Sequence, residues 1–149
     1  MRDQIAEALK AALKTQDKRR TGTLRLIQAA IQDRDIAHRG AGKDPVSDEE
    51  ILQILSKMVK QREESAKAFE DGGRAELAAQ ERDEILIIRD FMPKQMGDDA
   101  VQHACRQVIE QIGADGLRDM GKCMAVLREK YPGQMDFGKA SGLVKDMLK

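Results

Sequence analysis

The chain has 149 residues, with 26 Lys and Arg balanced by 26 Asp and Glu, 35% charged residues and 3% aromatic residues. This length suits one domain or two small ones, and the scarcity of aromatic residues with many Ala, Leu, Glu and Lys favours helices over strands. The zero net charge excludes a strong overall nucleic-acid footprint, although residues 1–39 hold nine basic and five acidic side chains.

Two helices are predicted before the first interruption of the chain. One runs from about residue 3 to 15 and the next from about 21 to 37, because apolar side chains recur at helical spacing in both. The stretch Arg39–Pro45 contains glycines and a proline, which predict a connection. The basic run Lys18–Arg20 falls at the junction of the two helices, where a solvated turn and a contact with a phosphate backbone are both open.

The third helix has the clearest beginning. Ser47 stands three residues before Glu50, which is the pattern of a capping box, and glycines at 72–73 predict its end. The fourth helix is predicted from about 74 to 91, where a proline closes it. These elements predict an N-terminal helical domain over residues 1–93.

Three shorter helices are predicted in a second domain, residues 97–149. Asp98 or Asp99 is expected to cap the first of them, Asp119 the second and Asp136 the last. The predicted fold class is therefore all-α, with an N-terminal helical domain of about four helices and a small C-terminal three-helix domain.

A four-residue pattern occurs twice in this second domain. The segment Asp119-Met120-Gly121-Lys122 returns as Asp136-Phe137-Gly138-Lys139, and each copy falls where a helix is predicted to begin. A lysine in the first turn opposes the helix dipole, and a phosphate site built from helix amides, glycine and lysine explains its position. The alternative is a duplicated helical hairpin whose glycines allow close packing and whose lysines lie in solvent.

Two charged residues interrupt the apolar rows of the third and fourth helices. Because a buried charge needs a partner, we predict a structural ion pair between Arg62 and Glu81, with Glu84 as the alternative acceptor. A catalytic carboxylate is the competing interpretation of this pair.

The other reactive residues predict neither a catalytic centre nor a cofactor. Cys105 and Cys123 fit no metal-binding spacing and are expected to be buried thiols, whereas His38 and His103 are expected in solvent. Neither of the glycine-rich phosphate-binding loops of nucleotide-binding proteins occurs. No secretory signal, membrane span or metal motif is present, so we expect a cytoplasmic protein without membrane or metal.

A larger set of residues resembles the YqeY family over nearly the whole chain. The likeness lies in Leu24-Arg25-Leu26, Ala29-Ala30-Ile31, Lys60-Gln61-Arg62-Glu63-Glu64-Ser65, Phe69, Gly73-Arg74, Leu77, Glu81, Glu84, Phe91-Met92-Pro93-Lys94-Gln95-Met96 and Asp119-Met120-Gly121-Lys122. The resemblance implies a helical N-terminal domain joined to a three-helix domain similar to the tail of the GatB component of the glutamine-dependent aspartyl/glutamyl-tRNA amidotransferase. Where the family often has Gly-Arg-Ala-Asp, this chain has Gly133-Gln134-Met135-Asp136, so one cation for phosphate contact is missing.

The resemblance implies a stand-alone module that binds tRNA or a tRNA-bound complex. At family level it also implies an association with carbon–nitrogen ligase activity that uses glutamine as amido donor, with an amidotransferase as one expected partner. The residues themselves carry no catalytic site for that chemistry, so an accessory is expected rather than an isolated enzyme. The residues expected to contact nucleic acid are Arg118, Gly121, Lys122, Lys130, Gly138 and Lys139, with Arg128 and Lys145 as an extension. A helical protein-interaction adaptor without a nucleic-acid or enzymatic role is the alternative.

Overall fold

The computed structural model describes all 149 residues and confirms the all-α class. Its helices are α1 (Arg2–Lys14), α2 (Lys18–Gly40), α3 (Asp48–Asp71), α4 (Ala75–Arg89), α5 (Asp98–Ile112), α6 (Met120–Lys130) and α7 (Phe137–Leu148), and a 3₁₀ turn over Leu117–Asp119 precedes α6. The chain divides into two compact units, Met1–Met92 and Pro93–Lys149, which we call the first and the second unit. None of the helices combines the length and the apolarity that a bilayer crossing needs.

The four helices of the first unit share one apolar core. Side chains at helical spacing fill it, and its fully enclosed members include Ile5, Leu24, Ile27, Ile51, Leu55 and Ile88. Burial of each such side chain stabilises the fold by about 1.5–3 kcal/mol, which gives this core the largest favourable contribution to the unit. The α3–α4 hairpin makes the most extensive helix pairing, and α1 packs on α2.

Helix α2 begins three residues earlier than the sequence predicts. Asp17 is its N-cap, and a carboxylate oxygen of Asp17 accepts a hydrogen bond from the Arg20 amide at 3.1 Å. Arg19 then forms an ion pair with Asp83 of α4, and Arg20 forms one with Asp90, the C-cap of α4. The basic run is therefore the first turn of α2 and not a connecting turn, and ion pairs hold its two arginines. Lys18 and Arg19 remain exposed, as the solvated interpretation expects.

The predicted capping box of α3 is confirmed. The Glu50 amide donates to Ser47 Oγ at 3.2 Å, and the Ser47 amide donates to Glu50 Oε1 at 3.3 Å. The bond from the Ser47 amide lowers the pKa of Glu50. The prediction that His38 lies in solvent was wrong. Its Nε2 lies 3.1 Å from Glu50 Oε2, and its Nδ1 lies 2.9 Å from the Asp44 carbonyl oxygen. The reason is that α2 continues three residues beyond its predicted end.

A clamp that sequence reasoning missed joins α1, α2 and the segment before α3. The guanidinium of Arg2 donates to both carboxylate oxygens of Asp35, at 2.8 and 2.7 Å, and to the Val46 carbonyl at 2.9 Å. The Val46 amide donates in turn to Asp35 Oδ1 at 2.8 Å. The hydrogen bonds from Arg2, and then the one from Val46, lower the pKa of Asp35 from 3.8 to about 2.

The second unit has its own core, which lies between α5, α6 and α7, and each of these helices packs against the other two. Its most buried members are Cys105, Val108, Cys123, Leu127, Ala140 and Val144. The N-cap of α5 is Gly97, so the prediction that Asp98 or Asp99 caps this helix was wrong. Both acids lie inside the first turn instead, where their charge favours the helix dipole. Gly113 ends α5 in the left-handed conformation at φ 70°.

Candidate nucleic-acid interface

The two copies of the repeated pattern do not form the same helix start. Asp119 belongs to the 3₁₀ turn at φ −93° and ψ 1°, and its side chain makes no capping bond to α6. It accepts a hydrogen bond from the Asp115 amide at 3.0 Å instead. The capping role predicted for Asp119 was therefore wrong, because a side-chain cap needs an extended backbone at that residue and the 3₁₀ turn prevents it.

The start of α7 follows the prediction. Asp136 has an extended backbone at φ −79° and ψ 107°, and its Oδ1 accepts hydrogen bonds from the amides of Gly138 at 2.8 Å and Lys139 at 3.4 Å. The cap has a consequence for anion binding. Because a carboxylate already occupies these two amides, a phosphate that approaches the α7 start meets the Lys139 side chain rather than free amide groups.

The six predicted contact residues are all exposed, but their side chains differ in their partners. Lys130 Nζ donates to Gln111 Oε1 at 2.7 Å, and Arg118 lies 4.0 Å from an Asp115 oxygen with 80% of its side chain exposed. Lys122 and Lys139 have no carboxylate partner and lie in the first turns of α6 and α7. These two lysines are the predicted side chains most available for a phosphate.

Arg128 lies closer to the second lysine than its sequence position suggests. Its guanidinium carbon stands 5.9 Å from the centroid of the Phe137 ring, two residues before Lys139, and this cation–π contact joins the end of α6 to the start of α7. Lys122 precedes Arg128 by six residues, or about 9 Å along the helix axis. The two repeated lysines consequently stand at opposite ends of the α6–α7 hairpin and do not form a single phosphate cradle.

The charge of the second unit is nearly balanced. It contains nine Lys and Arg and eight Asp and Glu. Such a balance gives no strong field to attract a polyanion from a distance. Any contact with a phosphate backbone therefore depends on a few local cations.

The ion pair of the first unit has a different acceptor from the one predicted. Arg62 Nε donates to Glu84 Oε2 at 3.1 Å, and Arg62 Nη1 donates to the Met58 carbonyl at 3.3 Å. Glu84 was the alternative, and the prediction of Glu81 was wrong. Glu81 lies three residues nearer to the α3–α4 turn, about 4.5 Å along α4, while the guanidinium is held at the level of Glu84.

The thiols are buried as predicted. Cys105 and Cys123 are both fully enclosed, and burial raises the pKa of each thiol. His103 is exposed, as the sequence predicted. No group of three or more His, Cys, Asp or Glu side chains is arranged to hold a metal ion.

These features define an all-helical protein of two compact units, with exposed lysines at two helix starts of the second unit. The chain belongs to the Yqey-like protein family, whose family model matches residues 2–148. The match covers essentially the whole chain, so the family resemblance predicted from its motifs is confirmed.

Curated relatives occur in Saccharomyces cerevisiae. The chain is 31% identical over 84 residues to "Altered inheritance of mitochondria protein 41, mitochondrial" of the strains YJM789, RM11-1a and ATCC 204508 / S288c. The aligned segment covers 56% of this chain and 44% of each relative. The chain therefore matches less than half of these relatives, whose names place them in mitochondria. The cytoplasmic location of this chain stays a prediction.

Proposed function

We propose that the protein is a stand-alone module whose second unit contacts the sugar-phosphate backbone of tRNA or of a tRNA-bound complex. The observation that carries the proposal is the exposure of Lys122 and Lys139, each in the first turn of a helix and without a carboxylate partner. Lysines at such positions oppose the helix dipole, so folding gains nothing from them there. A phosphate contact gives their positions a function.

The spacing of the cations suits a backbone contact better than a single phosphate pocket. Arg128 lies beside the start of α7 and adds its charge to that of Lys139, while Lys122 stands near the other end of the hairpin. Contacts of this kind position a nucleic acid without reading its sequence. We therefore expect weak binding without sequence preference, with each lysine neutralising a different phosphate.

The test is a titration of the purified protein with bulk tRNA at about 50 and 200 mM salt, because released counterions make such binding salt-dependent. The parent protein should bind more tightly at the lower salt. The double variant Lys122→Ala/Lys139→Ala should bind at least about tenfold more weakly, and the slope of log K against log salt should fall by about 1.4–1.8 for two lost contacts. A matched control is Lys43→Ala/Lys67→Ala, which removes two exposed lysines from the first unit.

One further variant tests the start of α7 directly. Asp136→Asn keeps a side-chain oxygen that can cap the helix but removes the negative charge beside Lys139. If a phosphate approaches this helix start, the variant should bind tRNA several-fold more tightly than the parent. Equal loss of binding in the lysine variant and in its control, or no binding at either salt, would refute the proposal.

A protein-interaction adaptor is the second candidate, and exposed apolar side chains of the first unit favour it. Leu86 is 62% exposed, Ile36 56% and Leu26 51%, although each belongs to a helix with a well-filled core face. An adaptor should co-purify with a defined protein after nuclease treatment, and the Leu86→Lys variant should lose that protein.

An accessory of tRNA-dependent amidation should instead change the rate of a reconstituted amidotransferase, and the Lys122→Ala/Lys139→Ala variant should abolish that change.

A further inference from the structure

A pocket of the first unit lies at the junction of α1 and α2. It is a depression of about 400 Å³ that is open to solvent, and its lining consists of Leu13, Gln16, Lys18, Thr21, Gly22 and Arg25. Two of these residues are positively charged at neutral pH, and none is a carboxylate. The lining therefore favours an anion.

Four of the lining residues form one stripe along α2. At the positions i, i+3, i+4 and i+7 stand Lys18, Thr21, Gly22 and Arg25, so they share a helix face. The two cations of this stripe, Lys18 and Arg25, differ in their ion pairing from the two arginines that lie between them in sequence. Arg19 pairs with Asp83 of α4 and Arg20 with the C-cap residue Asp90, whereas Lys18 and Arg25 have no acidic partner. Their charge is consequently available to a ligand.

Thr21 adds a hydrogen-bond donor to this pocket. Thr21 is only 9% exposed and lines the pocket, yet its hydroxyl makes no hydrogen bond with the protein. The nearby Thr15 hydroxyl donates to the Ala11 carbonyl at 3.1 Å in the ordinary way. The Thr23 hydroxyl also lacks a partner but is completely enclosed, whereas that of Thr21 is not. The Thr21 hydroxyl is therefore reachable from the pocket and free to donate, and an anion there would accept its hydrogen bond.

Gly22 has no structural reason to be glycine. It lies inside α2 without a positive φ, and a Cβ added there would meet no atom within 4 Å. Alanine would stabilise the helix, since glycine is among the poorest helix formers. The effect of the glycine is to keep the middle of the charged stripe open.

We propose that this pocket binds the phosphate group of a phosphorylated small molecule. Lys18 and Arg25 supply the charge, the Thr21 hydroxyl donates a hydrogen bond, and Leu13, which is 48% exposed, offers an apolar wall to the rest of the ligand. Asp17 is the nearest carboxylate along the chain, and its side chain is turned to the Arg20 amide. The proposal is independent of the tRNA contact, because none of its residues belongs to the second unit.

The experiment follows the amide resonances of the ¹⁵N-labelled full-length protein as sodium phosphate replaces sodium chloride at constant ionic strength. Shifts should concentrate at Gln16, Thr21 and Gly22 and should saturate. The variant Lys18→Gln/Arg25→Gln should weaken binding at least about tenfold, because hydrogen bonds to charged groups are the strong ones. Far-UV circular dichroism confirms the helix content of each variant.

Two further variants leave the charge of the pocket unchanged and are expected to affect folding little. Thr21→Val preserves the shape of the side chain but removes the hydroxyl, and it should weaken phosphate binding about fivefold. Gly22→Leu should block the pocket without changing its charge. Lys10→Gln is the matched control, because Lys10 is an exposed cation of α1 that does not line the pocket, and it should bind phosphate like the parent.

Three results would overturn the proposal. Phosphate shifts that survive in Lys18→Gln/Arg25→Gln, or that spread evenly over exposed lysines, would mean nonspecific screening. The absence of any saturating shift would mean that there is no phosphate site. A pocket that responds to tRNA but not to inorganic phosphate would be a nucleic-acid contact, which is a different site from the one proposed.

Discussion

The ion pair between Arg62 and Glu84 links the two helices of the α3–α4 hairpin and offers a direct test of its register. The perturbation is a double-mutant cycle of Arg62→Met and Glu84→Met, which replaces the two charges by unbranched apolar side chains that favour helices. Either single change leaves one charge on a seam that is mostly enclosed. The double change removes both charges at once.

The magnitude follows from the burial of the pair. The Arg62 side chain is 14% exposed and that of Glu84 29%, so the pair lies between a solvent-exposed ion pair, worth about 0.2–1 kcal/mol, and a buried one, whose disruption costs about 3–5 kcal/mol. We expect a coupling energy of about 1–2 kcal/mol. Arg62→Met should be the costlier single change, because Arg62 keeps its bond to the Met58 carbonyl when Glu84 is lost.

The assay is urea unfolding followed by far-UV circular dichroism, with the coupling taken from the four free energies of unfolding. Tyr131 is the single tyrosine and the chain has no tryptophan, so tyrosine fluorescence reports on the second unit alone and its transition should not move. The control cycle is Arg74→Ala with Glu76→Ala. That pair is 61% and 65% exposed, so its coupling should stay below about 0.5 kcal/mol.

A third cycle decides between the two acceptors. Arg62→Met combined with Glu81→Met should give additive effects, because Glu81 lies one turn away from the guanidinium. Coupling to Glu81 as large as coupling to Glu84 would refute this helix register. A coupling to Glu84 no larger than that of the exposed control pair would refute the claim that burial strengthens the interaction.

Three other predictions test the clamp, the second core and the thiols. Because Arg2 lowers the pKa of Asp35 to about 2, the clamp contributes stability that is complete above the ordinary value of 3.8 and is lost as the pH falls through about 2. Asp35→Asn should therefore melt below the parent at neutral pH, and the difference in melting temperature should shrink across that acid window; a constant difference would contradict the linkage. Leu127→Ala, at a fully buried position, should lower the free energy of unfolding of the second unit by about 2–5 kcal/mol in tyrosine fluorescence, and a change below about 1 kcal/mol would mean a poorly packed core. Cys105 and Cys123 should react with a thiol reagent orders of magnitude more slowly in the native protein than in urea. Both side chains are enclosed, and burial raises the pKa of each thiol. Rapid reaction without denaturant would show that the second core opens readily.

Some features that depend on one or two helical turns were predictable from the chain itself, whereas the caps predicted at Asp98 or Asp99 and at Asp119 were wrong. The helical class follows from composition and from apolar residues at a period of about 3.6. The capping box of Ser47 and Glu50 could be predicted because both partners lie within four residues, so no other part of the fold decides whether they meet. Burial of Cys105 and Cys123 follows in the same way from their apolar neighbours on one helix face.

Partners that lie on different helices were decided by the tertiary structure. Arg2 and Asp35 are 33 residues apart, and no local pattern brings them together. The identical role expected for Asp119 and Asp136 failed because a 3₁₀ turn precedes only one of the two helices. The acceptor of Arg62 depended on the register of two antiparallel helices, where a shift of one turn exchanges Glu81 for Glu84. The sequence alone determined that the chain is helical and which faces of its helices are apolar. Only packing determined where each helix ends and which charges meet, because helix ends and registers are set by the whole core.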